Sequence, residues 1–140
     1  MKFNEDTRVK IPAILHCMRL GYEYISLKSQ SCDINESTNI FPAVFLSSIQ
    51  KINPGLSTSK ARQALDEISL ALENEDLGRS FYKKLINRSG VRLIDFENFD
   101  QNTFQVVTEL TYKNGEDEFR PDITMLINGM PLVFIEVKKP

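Results

Sequence analysis

Two apolar runs, residues 121–127 and 132–138, flank Asn128-Gly129. This dipeptide strongly favours a tight hairpin, because both of its residues tolerate positive φ. The chain is therefore expected to close in two adjacent strands, and those strands carry charges that a buried hairpin would not need. Asp122 directly follows Pro121, while Glu136 and Lys138 interrupt a run otherwise built from Leu, Val, Phe and Ile. Strand side chains alternate between faces, so Glu136 and Lys138 share one face and Ile135 and Val137 the other.

Two acids and a lysine in such a setting fit phosphodiester hydrolysis. That reaction needs a hard cation to polarise a phosphoryl oxygen and acidify a water, and Mg²⁺ takes carboxylate and water oxygens in an octahedron. Asp122 and Glu136 can supply the carboxylates, and the main-chain carbonyl of Val137, between the two functional side chains, can supply a further oxygen. Lys138 can orient the attacking water and offset developing charge. Register constrains the scheme. A strict two-residue turn sets Asp122 opposite Ile135, on the wrong face for Glu136, whereas a three-residue loop or a bulge brings it opposite Glu136. The longer form is expected. Each residue also has a structural reading: Asp122 as a turn cap after proline, Glu136 and Lys138 as an exposed pair guarding an edge strand.

The order Pro121-Asp122, then Glu136-Val137-Lys138, resembles the PD-(D/E)xK nuclease signature. The flanks narrow the resemblance. Phe119-Arg-Pro-Asp-Ile, the stretch from Asn128-Gly-Met-Pro-Leu-Val to Lys139-Pro140, and the opening Asn4-Glu-Asp-Thr-Arg8 are similar to the N-terminal nuclease domain of the type I restriction enzyme R subunit. It covers the first two dozen residues and roughly the last forty.

The resemblance implies an α/β/α-like restriction-endonuclease core, with a mixed central sheet and flanking helices. It also implies an acid on the first helix that completes the metal site, by position Glu5, with Asp6 the second choice. Glu5 is equally explained by the preference of acids for a helix's first turn. The implied activity is Mg²⁺-dependent cleavage of double-stranded DNA without sequence preference of its own. Recognition would fall to specificity and modification subunits, and translocation to an ATP-dependent motor. No Gly-x-x-x-x-Gly-Lys-Ser/Thr loop occurs here, so ATP would be bound by a full-length parent and not by this chain. Residues 1–140 thus read as one nuclease domain, an N-terminal fragment of a larger subunit. R-subunit nuclease domains continue beyond the lysine with another helix, so the closing strand of an isolated fragment is expected to fray or dimerise, with loss of activity a foreseeable result. The alternatives from other classes are a noncatalytic DNA-binding or assembly module with a nuclease fold, and a stand-alone repair nuclease.

Upstream the pattern is helical. Asn4 is placed to cap a helix from Glu5 to Leu20 that Gly21 ends and Pro12 kinks or divides, with Val9, Ile11, Ile14, Leu15, Met18 and Leu20 as its apolar set. Tyr22–Leu27 reads as a short strand and 28–38 as a polar loop. Apolar stripes predict helices over Ile40–Asn53 and Ser57–Glu73, and Ser80–Arg88 is helical or irregular. Strands are expected at Val91–Phe96, Thr103–Tyr112, Pro121–Ile127 and Leu132–Lys138, with Lys113–Glu118 as a turn and the Thr103–Tyr112 strand only partly covered. Helices first and strands later indicate an α+β domain. Glu109, on the neighbouring strand, is read as facing solvent more readily than metal.

Composition bounds the rest. With 140 residues, 41% hydrophobic and 26% charged, the chain fits one globular domain, and its net charge of −2 denies it global basic character. DNA contact must be local. Lys83, Lys84 and Arg88, interleaved with Phe81 and Tyr82, form a candidate phosphate-binding cluster, and Lys139 is a further candidate; a solvated charged face explains the cluster equally well. Apolar runs are too short for a membrane span and no signal-peptide core opens the chain, so a cytoplasmic protein is expected. Cys17 and Cys32 read as buried or free thiols, and His16 as a surface helix residue.

Overall fold

The computed structural model describes residues 4–28 and 33–138, which fall into two compact units. Unit one comprises 4–28, 104–127 and 131–138; unit two comprises 33–103 and 128–130.

Unit one begins where Asn4 Oδ1 accepts the Thr7 N–H at 3.0 Å, the expected cap. A π-helical turn over Asp6–Lys10 leads into α1, Ile11–Arg19. Pro12 explains this wider turn. Its ring would clash with the Arg8 carbonyl in a regular helix, and the wide turn, in which the Ile11 N–H reaches back to Asp6 O, opens room for it. Gly21, at φ +102°, ends the helix. The core-facing stripe is buried Cys17 with partly buried Val9, Ala13 and Ile14, whereas Ile11, Leu15, Met18 and Leu20 of the expected apolar set are exposed. Periodicity located the helix but chose too wide a core face.

The sheet of unit one has strand order β1-β2-β5-β6. Strand β1 (Glu23–Ile25) runs parallel to β2 (Phe104–Thr108), with Tyr24 beside Val106, and β2 runs antiparallel to β5 (Ile123–Ile127), with Val106 beside Met125. This mixed sheet with four helices bears out the α+β class. Strand β6 covers Met130–Ile135. Between β1 and β5, β2 buries Gln105, Val106 and Val107 in succession, so it is not the half-covered strand expected. Nor does it run on to Tyr112. Glu109 takes φ +57° and breaks it, after which β3 (Tyr112–Asn114) and β4 (Asp117–Phe119) form a separate hairpin where a plain turn was expected. The rings of Tyr112 and Phe119 join that hairpin to Phe134 of β6 at centroid distances of 4.9 and 6.2 Å. Val106, Ile123, Val137 and Cys17 form a buried cluster, against which Val9, Ala13, Ile14, Tyr22, Met125 and Ile135 pack.

Unit two holds α2 (Pro42–Ile52), α3 (Thr58–Glu73) and α4 (Arg79–Ile86). Proline suits the first turn of α2, where its missing N–H costs nothing, and Ser57 caps α3 by accepting from the Lys60 N–H. Phe45, Ile49 and Ile52 of α2 and Ala61, Ala64, Ile68 and Ala71 of α3 are buried; the alanines let the two helices approach closely. Residues Val91–Phe96 are not a strand. Their main chain is satisfied by side chains instead: Asn53 bonds both Arg92 O and Arg92 N–H, Asn102 bonds both Asp95 N–H and Asp95 O, and Asn128 donates to Leu93 O. Those groups are thereby withdrawn from any strand ladder.

Among the described residues, no helix is long and apolar enough to cross a membrane.

Candidate active site

Asn128 and Gly129 take φ +52° and +77° and connect Ile127 of β5 directly to Met130 of β6. This is the strict two-residue turn, so the expected longer connection is overturned. Close packing leaves no room for it: Gly129 O accepts the Phe41 N–H at 2.9 Å, and a Cβ on Gly129 would lie 2.8 Å from Phe41 O and Phe45 N. Asn128 is fully buried, donates to Leu93 O and Asn102 Oδ1, and accepts the Thr103 N–H, all at 2.8 to 2.9 Å.

Asp122 meets the opposite segment by another route. Strand β6 ends at Ile135, which frees the following amides from the ladder, and the Val137 N–H donates to Asp122 Oδ2 at 2.9 Å. Asp122 is half-buried, Val137 buried, and Glu136 and Lys138 on either side of it are exposed. The exposure pattern keeps Glu136 and Lys138 together on the side away from the core, as strand alternation required, although both lie beyond the strand's last residue. Among the described residues, Asp122 Oδ1, Glu136 and Lys138 have no hydrogen-bond or ion-pair partner.

This donor set suits a hard cation. It offers two carboxylates and the Val137 carbonyl, with no thiolate or imidazole, and Mg²⁺ is commonly held by one or two carboxylates with water and substrate oxygens completing the shell. Glu5 is half-buried, and it does not join Asp122 and Glu136 in a group of three: among the described residues no three His, Cys, Asp or Glu side chains gather to hold a metal.

The first helical turn reaches the site through Lys10, a residue the sequence reading passed over. Its buried ammonium lies 3.7 Å from Asp6 Oδ1 and 3.1 Å from Glu109 Oε1, and the Glu109 N–H donates to the Asp122 carbonyl at 3.2 Å. Glu109 is exposed, as expected, and one of its carboxylate oxygens is engaged by Lys10. The hydrogen bond and charge of Lys10 hold its carboxyl below the usual carboxylate range, with smaller help from Arg120 and Lys28 against the cost of burial. The sequence around Lys10 carries no mark of this role, because its burial is a product of the fold.

Cys17 is buried, and burial pushes its thiol up, so it is an inert core residue. His16 is exposed on α1. Cys32 lies outside the described residues, as does Lys139. Of the basic cluster in unit two, Lys83 and Arg88 are exposed, whereas Lys84 is paired with Glu67 at 3.2 Å.

The family described as type I restriction enzyme R protein N terminus matches residues 2–140. Among curated relatives, a putative type I restriction enzyme MjaIXP endonuclease subunit of Methanocaldococcus jannaschii is 33% identical over 163 aligned residues, covering 99% of this chain and 16% of the relative. The type I restriction enzyme HindI endonuclease subunit of Haemophilus influenzae is 31% identical, covering 72% of this chain and 11% of the relative. A second Methanocaldococcus jannaschii protein, the putative MjaVIIIP endonuclease subunit, is 34% identical over 81% of this chain and 10% of its own length. The chain thus spans less than a fifth of the length of these relatives.

Proposed function

Because the chain belongs to the family of type I restriction enzyme R protein N termini, we propose that it is the Mg²⁺-dependent endonuclease domain of a type I restriction-modification complex, a member of the PD-(D/E)xK group. The observation that carries this reading is the hydrogen bond from the Val137 amide to Asp122, which fixes the second residue of the Pro-Asp pair against the Glu136-Val137-Lys138 segment.

Magnesium, when bound, would polarise a phosphoryl oxygen and acidify a water. Asp122 Oδ1, Glu136 and the Val137 carbonyl are the oxygens that would hold it. One oxygen of Asp122 is already engaged by Val137, so the carboxylate is oriented before any ligand arrives, which lowers the entropy lost on binding. Lys138 holds the attacking water and offsets the negative charge that grows on the phosphate oxygens. Its exposure gives a DNA strand direct access. Lys83 and Arg88 are the proposed phosphate contacts of unit two; Lys84, neutralised by Glu67, contributes less.

The endonuclease subunits named among the relatives support double-stranded DNA as substrate and a multisubunit assembly as setting. In that setting specificity and modification subunits choose and mark the site, and an ATP-dependent motor elsewhere in the longer subunit brings DNA to this domain, which cuts without sequence preference.

The test is cleavage of plasmid DNA by the longer subunit with its partners, ATP and Mg²⁺, comparing wild type with Asp122→Ala and Lys138→Ala. Loss of cutting with ATP hydrolysis retained supports the assignment. Cutting that survives both substitutions overturns it.

A further inference from the structure

Lysine is almost never buried without a partner, because its ammonium loses hydration that only close anionic groups can replace. Lys10 is 9% exposed and sits between two such groups, Asp6 on its own helical turn and Glu109 at the end of β2. The placement is specific. The π-helical turn ahead of Pro12 inserts one residue into the helical phase, and it is on this turn that Lys10 faces inward.

Glu109 is itself in an unusual state. At φ +57° it occupies the left-handed region that side chains with a Cβ disfavour, and asparagine or glycine, the usual occupants, are absent. That backbone turn ends β2 and aims the Glu109 N–H at the Asp122 carbonyl, 3.2 Å away, immediately before β5 begins. Lys10 holds the side chain of this strained residue, the strained residue holds the main chain of Asp122, and the side chain of Asp122 holds Val137.

We propose that Lys10 is a positioning residue for the candidate metal site: the Lys10–Glu109 ion pair locks the left-handed Glu109 backbone that fixes Asp122 opposite Val137. The inference rests on the nuclease reading of Asp122 and adds to it a link from the first helix. Neither Lys10 nor Glu109 touches metal or substrate in this scheme. Breaking the pair lets Glu109 relax toward ordinary backbone geometry, which withdraws the hydrogen bond to Asp122 and loosens its carboxylate.

Binding of Mn²⁺ to the chain, followed by calorimetric titration, tests this without relying on cleavage. Lys10→Met and Glu109→Gln are each expected to weaken Mn²⁺ binding by about 10-fold, the range in which groups that orient metal ligands act. The double variant should be no weaker than either single one, and Lys10→Arg should recover most of the affinity. Ile68→Ala, which opens the core of unit two at α3, should lower the melting temperature and leave Mn²⁺ affinity unchanged. Glu109 has a half-exposed side chain, so Glu109→Gln carries the test even if Lys10→Met fails to fold. If Asp122→Ala abolishes binding while Lys10→Met and Glu109→Gln bind as wild type, the positioning role is wrong and the nuclease reading stands. If binding survives Asp122→Ala, the metal site itself is wrong and this inference falls with it.

Discussion

The Val137 amide donates to Asp122 Oδ2 at 2.9 Å, so a side chain at the start of β5 takes the main-chain group that β6 releases where its ladder ends. The bond makes structural and chemical roles of Asp122 separable. Asp122→Asn keeps an oxygen for Val137 and should melt close to wild type, whereas Asp122→Ala forfeits the bond and should cost about 1–3 kcal/mol. Cleavage under the proposed function should fall by about 100-fold or more in both. Thermal melting alongside a plasmid assay checks it; an Asp122→Asn protein that cuts normally would falsify the metal-ligand role.

Gly129 is held by φ +77° and by the backbone of Phe41 and Phe45 at 2.8 Å from any added Cβ. Gly129→Ala combines strain with a backbone clash that no rotamer relieves, and should lose roughly 3 kcal/mol or more. Gly115, also at positive φ but with open space around it, serves as the control: Gly115→Ala should lose only about 1 kcal/mol. Equal losses in urea unfolding would show that crowding at Gly129 is not the cause.

Asn128 makes two donor bonds and one acceptor bond from a fully buried side chain. Asn128→Ala strands the Leu93 carbonyl and the Thr103 amide, and should cost about 2–4 kcal/mol. Amide hydrogen exchange should speed most at Thr103 and its neighbours. Uniform acceleration across unit two would instead indicate global loss of stability.

Acid sensitivity should follow two carboxylates of unit two. Asp95 accepts from the Asn98 and Glu97 amides beside Arg92, and Asp76 accepts from the Ser80 hydroxyl and amide; in both the bonds outweigh burial and hold the carboxyl below its ordinary value. A depressed folded pKa adds stability above the unfolded value, about 3.9, and that gain is lost as pH falls through the folded pKa. Asp95→Asn and Asp76→Asn should therefore be less stable than wild type at pH 7 and lose less as pH drops below about 5. Parallel urea-midpoint curves for wild type and variants would contradict this.

DNA affinity should respond unequally to the three basic residues. Lys83→Ala and Arg88→Ala should each reduce the salt dependence of binding by about one phosphate contact, and Lys84→Ala by less, because Glu67 already neutralises it. Fluorescence anisotropy over a range of salt concentrations measures the slopes. Unchanged slopes in Lys83→Ala and Arg88→Ala would remove unit two's proposed phosphate contacts.

How much of this was legible in the sequence varies by the range of the interactions. The first helix, with Asn4 at its start and Gly21 at its end, and the stripes of α2 and α3 follow from local spacing and were read within a few residues. The segment 91–96 was misread because its apolar residues looked like a strand, while the asparagines that satisfy its main chain lie far along the chain at 53, 102 and 128. The break at Glu109 left no mark either, since nothing about glutamate suggests positive φ. For the candidate site, residue types and spacing were enough to select Asp122, Glu136 and Lys138. The turn length came out opposite to expectation, because Gly129 is packed against the backbone of Phe41 and Phe45, far away along the chain.

Strand β1 lies beside β2, its partner from the far side of unit two's sequence, so Glu23 must wait for Gln105 before it has a neighbour. On a ribosome the first helix and β1 would emerge long before the strands that cover them, and the turn that completes unit two arrives only with Asn128. Vectorial synthesis therefore favours unit two assembling early around α2 and α3, with the sheet closing late, after β5 and β6 leave the exit tunnel. The residues with the proposed chemistry, Asp122 and Glu136 to Lys138, would then come together only after the scaffold around them is built.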